Sequence, residues 1–350
     1  MNKKVLVTGA GGFIGSHVVQ ILAERGDFVV GVDNLNGYYD PSHKRANLRE
    51  IEESLPRASS FIFLEGDIRD GAFVQRLFAE YEIDAVVHLA AMAGVRASLR
   101  DPALYYDVNL NGTLVLLEAA AGRLSKPSTG KKRIVHNFVF ASTSSVYGRT
   151  ERIPFVESDP CTQPLAPYAA SKRAAELLGY TYHHVYGVNF TVLRFFTVYG
   201  PRSRPDMLAY KVAESIFLRR EVPLHNSGNM HRDWTYIDDA VSGVLAAVDQ
   251  PLGYEIINIG RGEPVHLGKF VETFEEISGG KAIVVPAPMP DVDVPYTFAD
   301  ITKARQLLGY NPVVSVPEGI ARFVHWFRRR VLTQMERREV YLAYHQRPAR

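Results

Sequence analysis

Tyr168-Ala169-Ala170-Ser171-Lys172 places a phenol and an ammonium four residues apart in a segment that reads as helix. Residues at i and i+4 share a helix face, so the spacing predicts that Lys172 eases the ionisation of Tyr168. A free tyrosine has a pKa of about 10, too high for a base at neutral pH, and a neighbouring cation lowers that barrier. Upstream, Ala141-Ser142-Thr143-Ser144-Ser145-Val146-Tyr147-Gly148 sets four hydroxyls in a row at the end of an apolar run. Such a run serves as turn chemistry when alone. Beside a Tyr-x-x-x-Lys pair it supplies a hydroxyl, Thr143, able to share a proton with Tyr168. These groups suit general acid–base work next to a hydride acceptor.

A hydride acceptor needs a site, and the N-terminus offers one. Val5-Leu6-Val7-Thr8-Gly9-Ala10-Gly11-Gly12-Phe13-Ile14-Gly15 reads as strand, glycine turn and helix start. Gly9 permits the turn, Gly12 lets a pyrophosphate approach the helix N-terminus, and Gly15 lets helix pack closely on strand. The next strand ends at Asp33, whose carboxylate suits ribose hydroxyls and repels a 2′-phosphate, favouring NAD over NADP. Lys44 and Arg45 temper that preference. Gly66-Asp67-Ile68 and Leu89-Ala90-Ala91 follow the third and fourth strands, where open α/β sheets bind ligands.

The elements that must hold these groups follow from periodicity. Apolar runs at Lys4–Thr8, Phe28–Val32, Phe61–Leu64, Ala85–His88, Ile134–Ala141 and Thr191–Phe196 predict buried strands. Helical patterns at Phe13–Glu24, Ala72–Glu80, Pro102–Ala121 and Tyr168–Tyr186 lie between them. The alternation predicts an α/β fold: a Rossmann-type, doubly wound parallel sheet with a smaller C-terminal α/β substrate-binding lobe. Residues 1–200 form the expected dinucleotide body, with a strand near 254–260 returning to it. Residues 201–330, rich in proline, form most of the lobe, and 331–350 a basic extension. Ser125–Arg133 reads as a solvated loop, and the arginine-rich segment from Arg328 as a solvated helix with a frayed end.

Of the 350 residues, 46% are hydrophobic and 22% charged, ordinary for a globular chain. Forty basic against thirty-eight acidic residues give a net charge of +2, which argues against a nucleic-acid partner. The single Cys161 excludes an internal disulfide and fits a reducing compartment. No apolar stretch has membrane-spanning length, and Gly9–Gly12 interrupts the first apolar run too early for a signal peptide. The expectation is a cytoplasmic protein without a membrane partner. His17, His88, His136, His183, His184, His225, His231 and His266 lack metal-ligand spacing, so no metal is expected.

Together these motifs resemble the extended short-chain dehydrogenase/reductase family, in its nucleotide-sugar branch, from Lys4 to about Phe327. The resemblance implies bound NAD, a UDP-sugar substrate and a homodimer built through a four-helix bundle, here from Pro102–Ala121 and Tyr168–Tyr186. It assigns Thr143, Tyr168 and Lys172 to catalysis. Cofactor contacts fall on Gly9, Gly12, Phe13, Ile14, Gly15, Asp33, Asn34, Lys44, Asp67, Ile68, Leu89, Ala90, Ala91 and Asn109, besides Tyr168 and Lys172. Substrate contacts fall on Arg96, Thr143, Ser144, Ser145, Thr197, Arg204, His225, Arg232 and Asp293.

Within that branch the chain is most similar to UDP-glucuronate 4-epimerases. Three stretches carry the likeness: Asp33–Asp40, Ala93–Arg96 and Phe195–Met207. A uronate needs groups that accept its extra charge, and an arginine meets a carboxylate in a planar, bidentate way; Arg96 and Arg204 are the candidates. Related dehydratases carry Asp-Glu just after the threonine, and decarboxylases a Glu close by. Here Ser144 and Ser145 follow Thr143, leaving no acid to pull a C5 proton. The expected reaction is therefore C4 epimerisation through a 4-keto sugar. The competing readings are a neutral UDP-hexose 4-epimerase, a UDP-glucuronate decarboxylase and, more remotely, an NAD-binding regulator without turnover. Pro290 and Gly37 depart from the sub-family pattern, while Asp293 keeps an acid for the uridine ribose.

Overall fold

The structure, a computed structural model, describes residues 2–55, 60–124 and 134–333. The expected loop at Ser125–Arg133 and the tail beyond residue 333 lie outside the described residues; Arg328–Leu332 forms a π-helical turn.

The first half alternates strand and helix: β1 (Lys4–Thr8), α1 (Phe13–Glu24), β2 (Phe28–Asp33), α2 (Pro41–Ser54), β3 (Phe61–Glu65), α3 (Gly71–Tyr81) and β4 (Ala85–His88). Then come α4 (Pro102–Tyr106), a π turn (Asp107–Asn111), α5 (Gly112–Ala120), β5 (Asn137–Thr143), α6 (Pro167–Tyr186) and β6 (Phe190–Phe195). The rest is shorter: β7 (Thr197–Tyr199), α7 (Leu208–Leu218), β8 (Glu221–His225), β9 (His231–Tyr236), α8 (Ile237–Asp249), β10 (Tyr254–Ile259), β11 (Pro264–His266), α9 (Leu267–Ser278), β12 (Ile283–Ala287), α10 (Thr302–Leu308) and α11 (Val316–Phe327).

Seven strands make one parallel sheet in the order β10-β6-β5-β4-β1-β2-β3. The order reverses between β1 and β4, the switch point where such sheets open a crevice at their carboxyl edge. The strands bury both faces, as parallel strands under helices must. Val5, Val7 and Val87 enter one core, while Leu6, Val86 and Phe138 enter the other. The remaining strands form a three-stranded sheet, β11-β9-β7, and a two-stranded one, β12-β8.

Local chemistry explains several boundaries. Asp40 caps α2 by accepting from the Ser42 amide, with Pro41 in the first turn. Asp70 caps α3 through the Ala72 and Phe73 amides. Pro167 opens α6, and Gly187 ends it in the left-handed region with its amide on the His183 carbonyl. Two expectations shift. The strand placed at Ile134–Ala141 runs instead from Asn137 to Thr143, because Asn137–Phe140 take register against β4 and Phe138–Thr143 against β6. The helix expected over Pro102–Ala121 is interrupted by the π turn at Asp107–Asn111, which buries Asn109.

Candidate active site

One cleft at the carboxyl edge gathers residues from nearly every strand end of the sheet. Its walls include Gly9, Gly12, Phe13, Ile14 and Gly15 after β1, Asp33 and Asn34 at β2, and Asp67 and Ile68 after β3. Leu89, Ala90 and Ala91 follow β4, and Thr143 ends β5. Lys44, Tyr168, Lys172, Thr197 and Arg204 complete the set. Ser144 and Ser145 follow Thr143 in a 3-10 turn over Ser144–Tyr147 and do not themselves line this wall. The Ser145 amide and hydroxyl are instead both bonded to Thr143 Oγ1, at 3.2 Å each.

The glycine turn is built for a close approach. Gly9 has φ +74°, and a Cβ there would sit 2.8 Å from the Ala90 amide nitrogen. A Cβ on Gly15 would meet the Gly9 carbonyl oxygen at 2.0 Å, so Gly15 serves helix–strand packing. Gly12 differs: its Cβ would touch only the Gly9 oxygen, at 3.1 Å, and would otherwise occupy the cleft. Gly12 is also the N-cap of α1 and brings no side chain to the first-turn amides. That leaves a cradle for an anionic group at a helix N-terminus, the arrangement that pyrophosphates use.

Asp33 is buried, and each of its oxygens accepts a hydrogen bond. Its Oδ2 accepts from the Gly11 amide at 3.2 Å, and its Oδ1 from the Leu35 amide at 2.8 Å. Lys44, buried beside it, donates to Oδ1 at 3.1 Å. The lysine therefore neutralises the carboxylate at the point where a ribose would lie. Asp67 accepts from Asn34 at 3.0 Å, and hydrogen bonds from Arg69 hold its carboxyl well below the ordinary range. These residues fit a dinucleotide.

At the chemical end, Tyr168 and Lys172 lie one turn apart on α6. Burial raises the Tyr168 pKa above its ordinary value, opposed by the Arg204 charge and by a hydrogen bond with Thr143. Arg204 is thus a cation beside the phenol that the helix spacing does not reveal. Burial brings Lys172 down to about 7, with the Glu176 charge pulling the other way. Its ammonium lies 4.7 Å from the Phe140 ring centroid and makes no ion pair among the described residues. A ligand hydroxyl in the cleft suits it.

Behind this wall stand two networks that local spacing does not reveal. Glu176, a turn beyond Lys172, is wholly buried and takes both Arg194 Nε at 3.0 Å and Arg194 Nη2 at 2.8 Å. Ser142 donates to the same carboxylate at 2.5 Å. The second network starts at Thr8 and runs through His88 (2.7 Å) to Thr113 (2.9 Å). Thr113 donates to the Asn109 carbonyl at 2.6 Å. Because that hydroxyl is spent, His88 donates through Nε2 and accepts at Nδ1, as a neutral ring. Burial, followed by the Lys172 charge, lowers the His88 pKa in keeping with this. Asn109 lies behind the cleft rather than in it; its amide bonds Met92 on both sides and donates to Ser171 at 3.0 Å.

The other expected sugar contacts form a separate group. Arg96 reaches His225 and lies 3.7 Å from Asp293. Burial lowers the Arg232 pKa, with the Asp293 charge opposing it. Among the described residues no cluster of His, Cys, Asp and Glu could hold a metal. None of their helices is long and apolar enough to cross a membrane.

Residues 5–260 match the model of the NAD dependent epimerase/dehydratase family. The chain belongs to this family. The epimerase/dehydratase likeness extends beyond the matched segment. A UDP-glucuronate 4-epimerase of Thermodesulfobacterium geofontis (strain OPF15) is 43% identical over 327 residues, covering 93% of this chain and 96% of the relative. UDP-glucuronate 4-epimerase 5 of Arabidopsis thaliana is 40% identical over 340 residues, covering 92% of this chain and 75% of the relative. Among solved structures, UDP-glucuronic acid 4-epimerase from Bacillus cereus, in complex with UDP-glucuronic acid and NAD, superposes with a TM-score of 0.83 at 35% identity. It covers 93% of this chain and 99% of that one. A UDP-glucose 4-epimerase from Thermotoga maritima gives 0.82 at 34% identity, covering 94% and 99%.

Proposed function

We propose that this protein is an NAD-dependent UDP-glucuronate 4-epimerase that interconverts UDP-glucuronate and UDP-galacturonate. The observation that carries the reading is a cleft in which Thr143, Tyr168 and Lys172 face the glycine cradle while Arg204 stands in the same wall. Gly12, Asp33 and Lys172 would hold the dinucleotide, whose nicotinamide would supply a reversible hydride acceptor for the sugar C4. Tyr168 removes the proton of the sugar 4-hydroxyl at its phenol oxygen and gives it back after the keto sugar has turned over. Thr143, which lines the cleft with that phenol, shares the proton and stabilises the phenolate. Lys172 holds a ribose hydroxyl and adds its positive charge.

A 4-keto uronate is a β-keto acid, so the site must avoid both decarboxylation and elimination. No acid follows Thr143. The acid that Ser142 reaches, Glu176, is buried and tied to Arg194, so it is no free base. Arg204 takes the sugar carboxylate in bidentate fashion. Arg96, His225, Arg232 and Asp293 receive the nucleotide diphosphate and ribose.

The exposed apolar side chains Leu114 on α5 and Leu177, Tyr180 and Val185 on α6 suit pairing of these helices with a second copy, giving a homodimer. The free, buried Cys161 accords with a cytoplasmic setting. Purified protein incubated with UDP-glucuronate is expected to yield UDP-galacturonate on chromatography. A UDP-pentose as main product selects decarboxylation, and turnover of UDP-glucose alone selects the neutral-sugar epimerase.

A further inference from the structure

The three sequence stretches that carry the resemblance to UDP-glucuronate 4-epimerases are distant along the chain, yet all three meet at a single contact beside Tyr168. From the first, the Tyr38 phenol donates to Asp206 Oδ2 at 3.3 Å. From the third, Asp206 receives Arg204 side-on, through Nε at 2.9 Å and Nη2 at 3.2 Å. From the second, Gly94 passes beneath the phenol. It has φ +99°, and a Cβ there would lie 2.5 Å from the Tyr38 oxygen. The Arg204 guanidinium lies 6.0 Å from the Tyr38 ring centroid.

This geometry fixes one edge of the guanidinium and leaves the other. Five N–H groups radiate from an arginine in a rigid fork. The Nε–Nη2 edge is taken by Asp206, while Nη1 makes no hydrogen bond among the described residues. Tyr38 and Arg204 both line the cleft with Tyr168. We propose that Tyr38, Asp206 and Gly94 are positioning residues that set preference for a charged sugar, by clamping Arg204 so that its free edge meets the C6 carboxylate. The inference rests on the reading of Arg204 as the carboxylate partner.

Asp206 has an obvious alternative role, as a mere counter-ion to Arg204, and the two roles predict opposite results. A counter-ion that is removed leaves the cleft more positive, so Asp206→Asn then binds UDP-glucuronate more tightly with kcat unchanged. A clamp that is removed lets the guanidinium swing, and uronate turnover falls. Tyr38→Phe provides a second variant that alters no charge and little volume.

The test uses the cofactor-loaded enzyme, with NAD content and melting temperature checked for each variant. It compares UDP-glucuronate with UDP-glucose in kcat/KM and in calorimetric Kd. In Asp206→Asn the uronate-to-glucose ratio is expected to fall about tenfold or more, and in Tyr38→Phe a few-fold, with UDP-glucose values kept within about twofold. An unchanged ratio in both variants, equal losses for both sugars, or tighter uronate binding at unchanged kcat in Asp206→Asn overturns the clamp. A wild type that turns over no UDP-glucuronate sinks the proposed function instead. The Kd ratio still decides the clamp in that case, and a wild type binding both sugars equally overturns it.

Discussion

The carboxyl edge of the seven-stranded sheet and the segments around the small sheets treat charge in opposite ways. At the edge, two charged pairs are buried and anchored in regular elements. Glu176 on α6 and Arg194 on β6 form an ion pair with neither side chain exposed, and Lys44 on α2 meets Asp33 at the end of β2 almost as deeply. Around the small sheets, ion pairs sit half in water: Arg204 with Asp206, Arg96 with Asp293, Arg322 with Asp238. A buried pair repays its desolvation only through good geometry, and losing one partner strands a charge. A half-exposed pair adds little stability but can reorient to receive a ligand. The contrast assigns bond chemistry to the rigid edge and choice of sugar to the looser loops.

The sharpest way to break this division is Tyr168→Phe. It removes one oxygen from the edge and leaves the glycine cradle and the loop ion pairs intact. Epimerase activity is expected to fall by about 10²- to 10⁴-fold, with NAD still bound, as read by absorbance and product chromatography. Turnover close to wild type refutes Tyr168 as the base.

A second comparison weighs the two kinds of ion pair directly. Arg194→Met leaves Glu176 buried with only the Ser142 hydroxyl and Arg173 for company. It is expected to destabilise the fold by about 3–5 kcal/mol in urea denaturation. Arg322→Met, which breaks contacts with Asp238 and Glu318 at the surface, is expected to cost about 1 kcal/mol or less. Equal costs would erase the distinction.

The same contrast explains what could be read from the sequence. The glycine turn, Asp33, Thr143 and the Tyr168–Lys172 pair are legible because each depends on spacing within one element or at one strand end. The apolar runs of the parallel strands are legible for the same reason, being buried on both faces. The Glu176–Arg194 pair was not legible, although both residues lie in correctly read elements. Arg194 sits near the end of an apolar strand, and its partner is 18 positions away, on a face that only packing defines. Helix α2 also escaped notice, since it buries little beyond Leu48 and Ile51 among apolar side chains; Asp40-Pro41 was its one local signal. Ser144 and Ser145 extend the hydroxyl row in the sequence, and the 3-10 turn over Ser144–Tyr147, which that row does not announce, sets their placement beside Thr143. Arg204 was read as a sugar contact, while its influence on Tyr168 came from the fold of the loop that carries it.

Lys172 gives the finest test of the buried edge, because its burial has a pH signature. Burial lowers its pKa from 10.5 in the free residue to about 7 in the folded chain, against the attraction of Glu176. His88 from β4 lies behind the wall within reach of the lysine's charge, Tyr168 from the same helix lines the cleft with Lys172, and Arg194 sits beyond Glu176. Below about pH 7 the lysine is protonated in both folded and unfolded states, so the full cost of burying its charge is present. Between about pH 7 and 10.5 the unfolded chain binds the extra proton, so stability rises with pH over that window. Lys172→Met removes the titration. In protein freed of nucleotide, the variant is expected to be more stable than wild type at pH 6, with the advantage shrinking by about 2–3 kcal/mol at pH 9. Urea denaturation at the two pH values measures it. An advantage that stays constant across that range would mean that Lys172 keeps its ordinary pKa despite its burial. Its ammonium would then have a partner that remains with it through folding, and the rigid edge would owe its order to that partner rather than to a ligand.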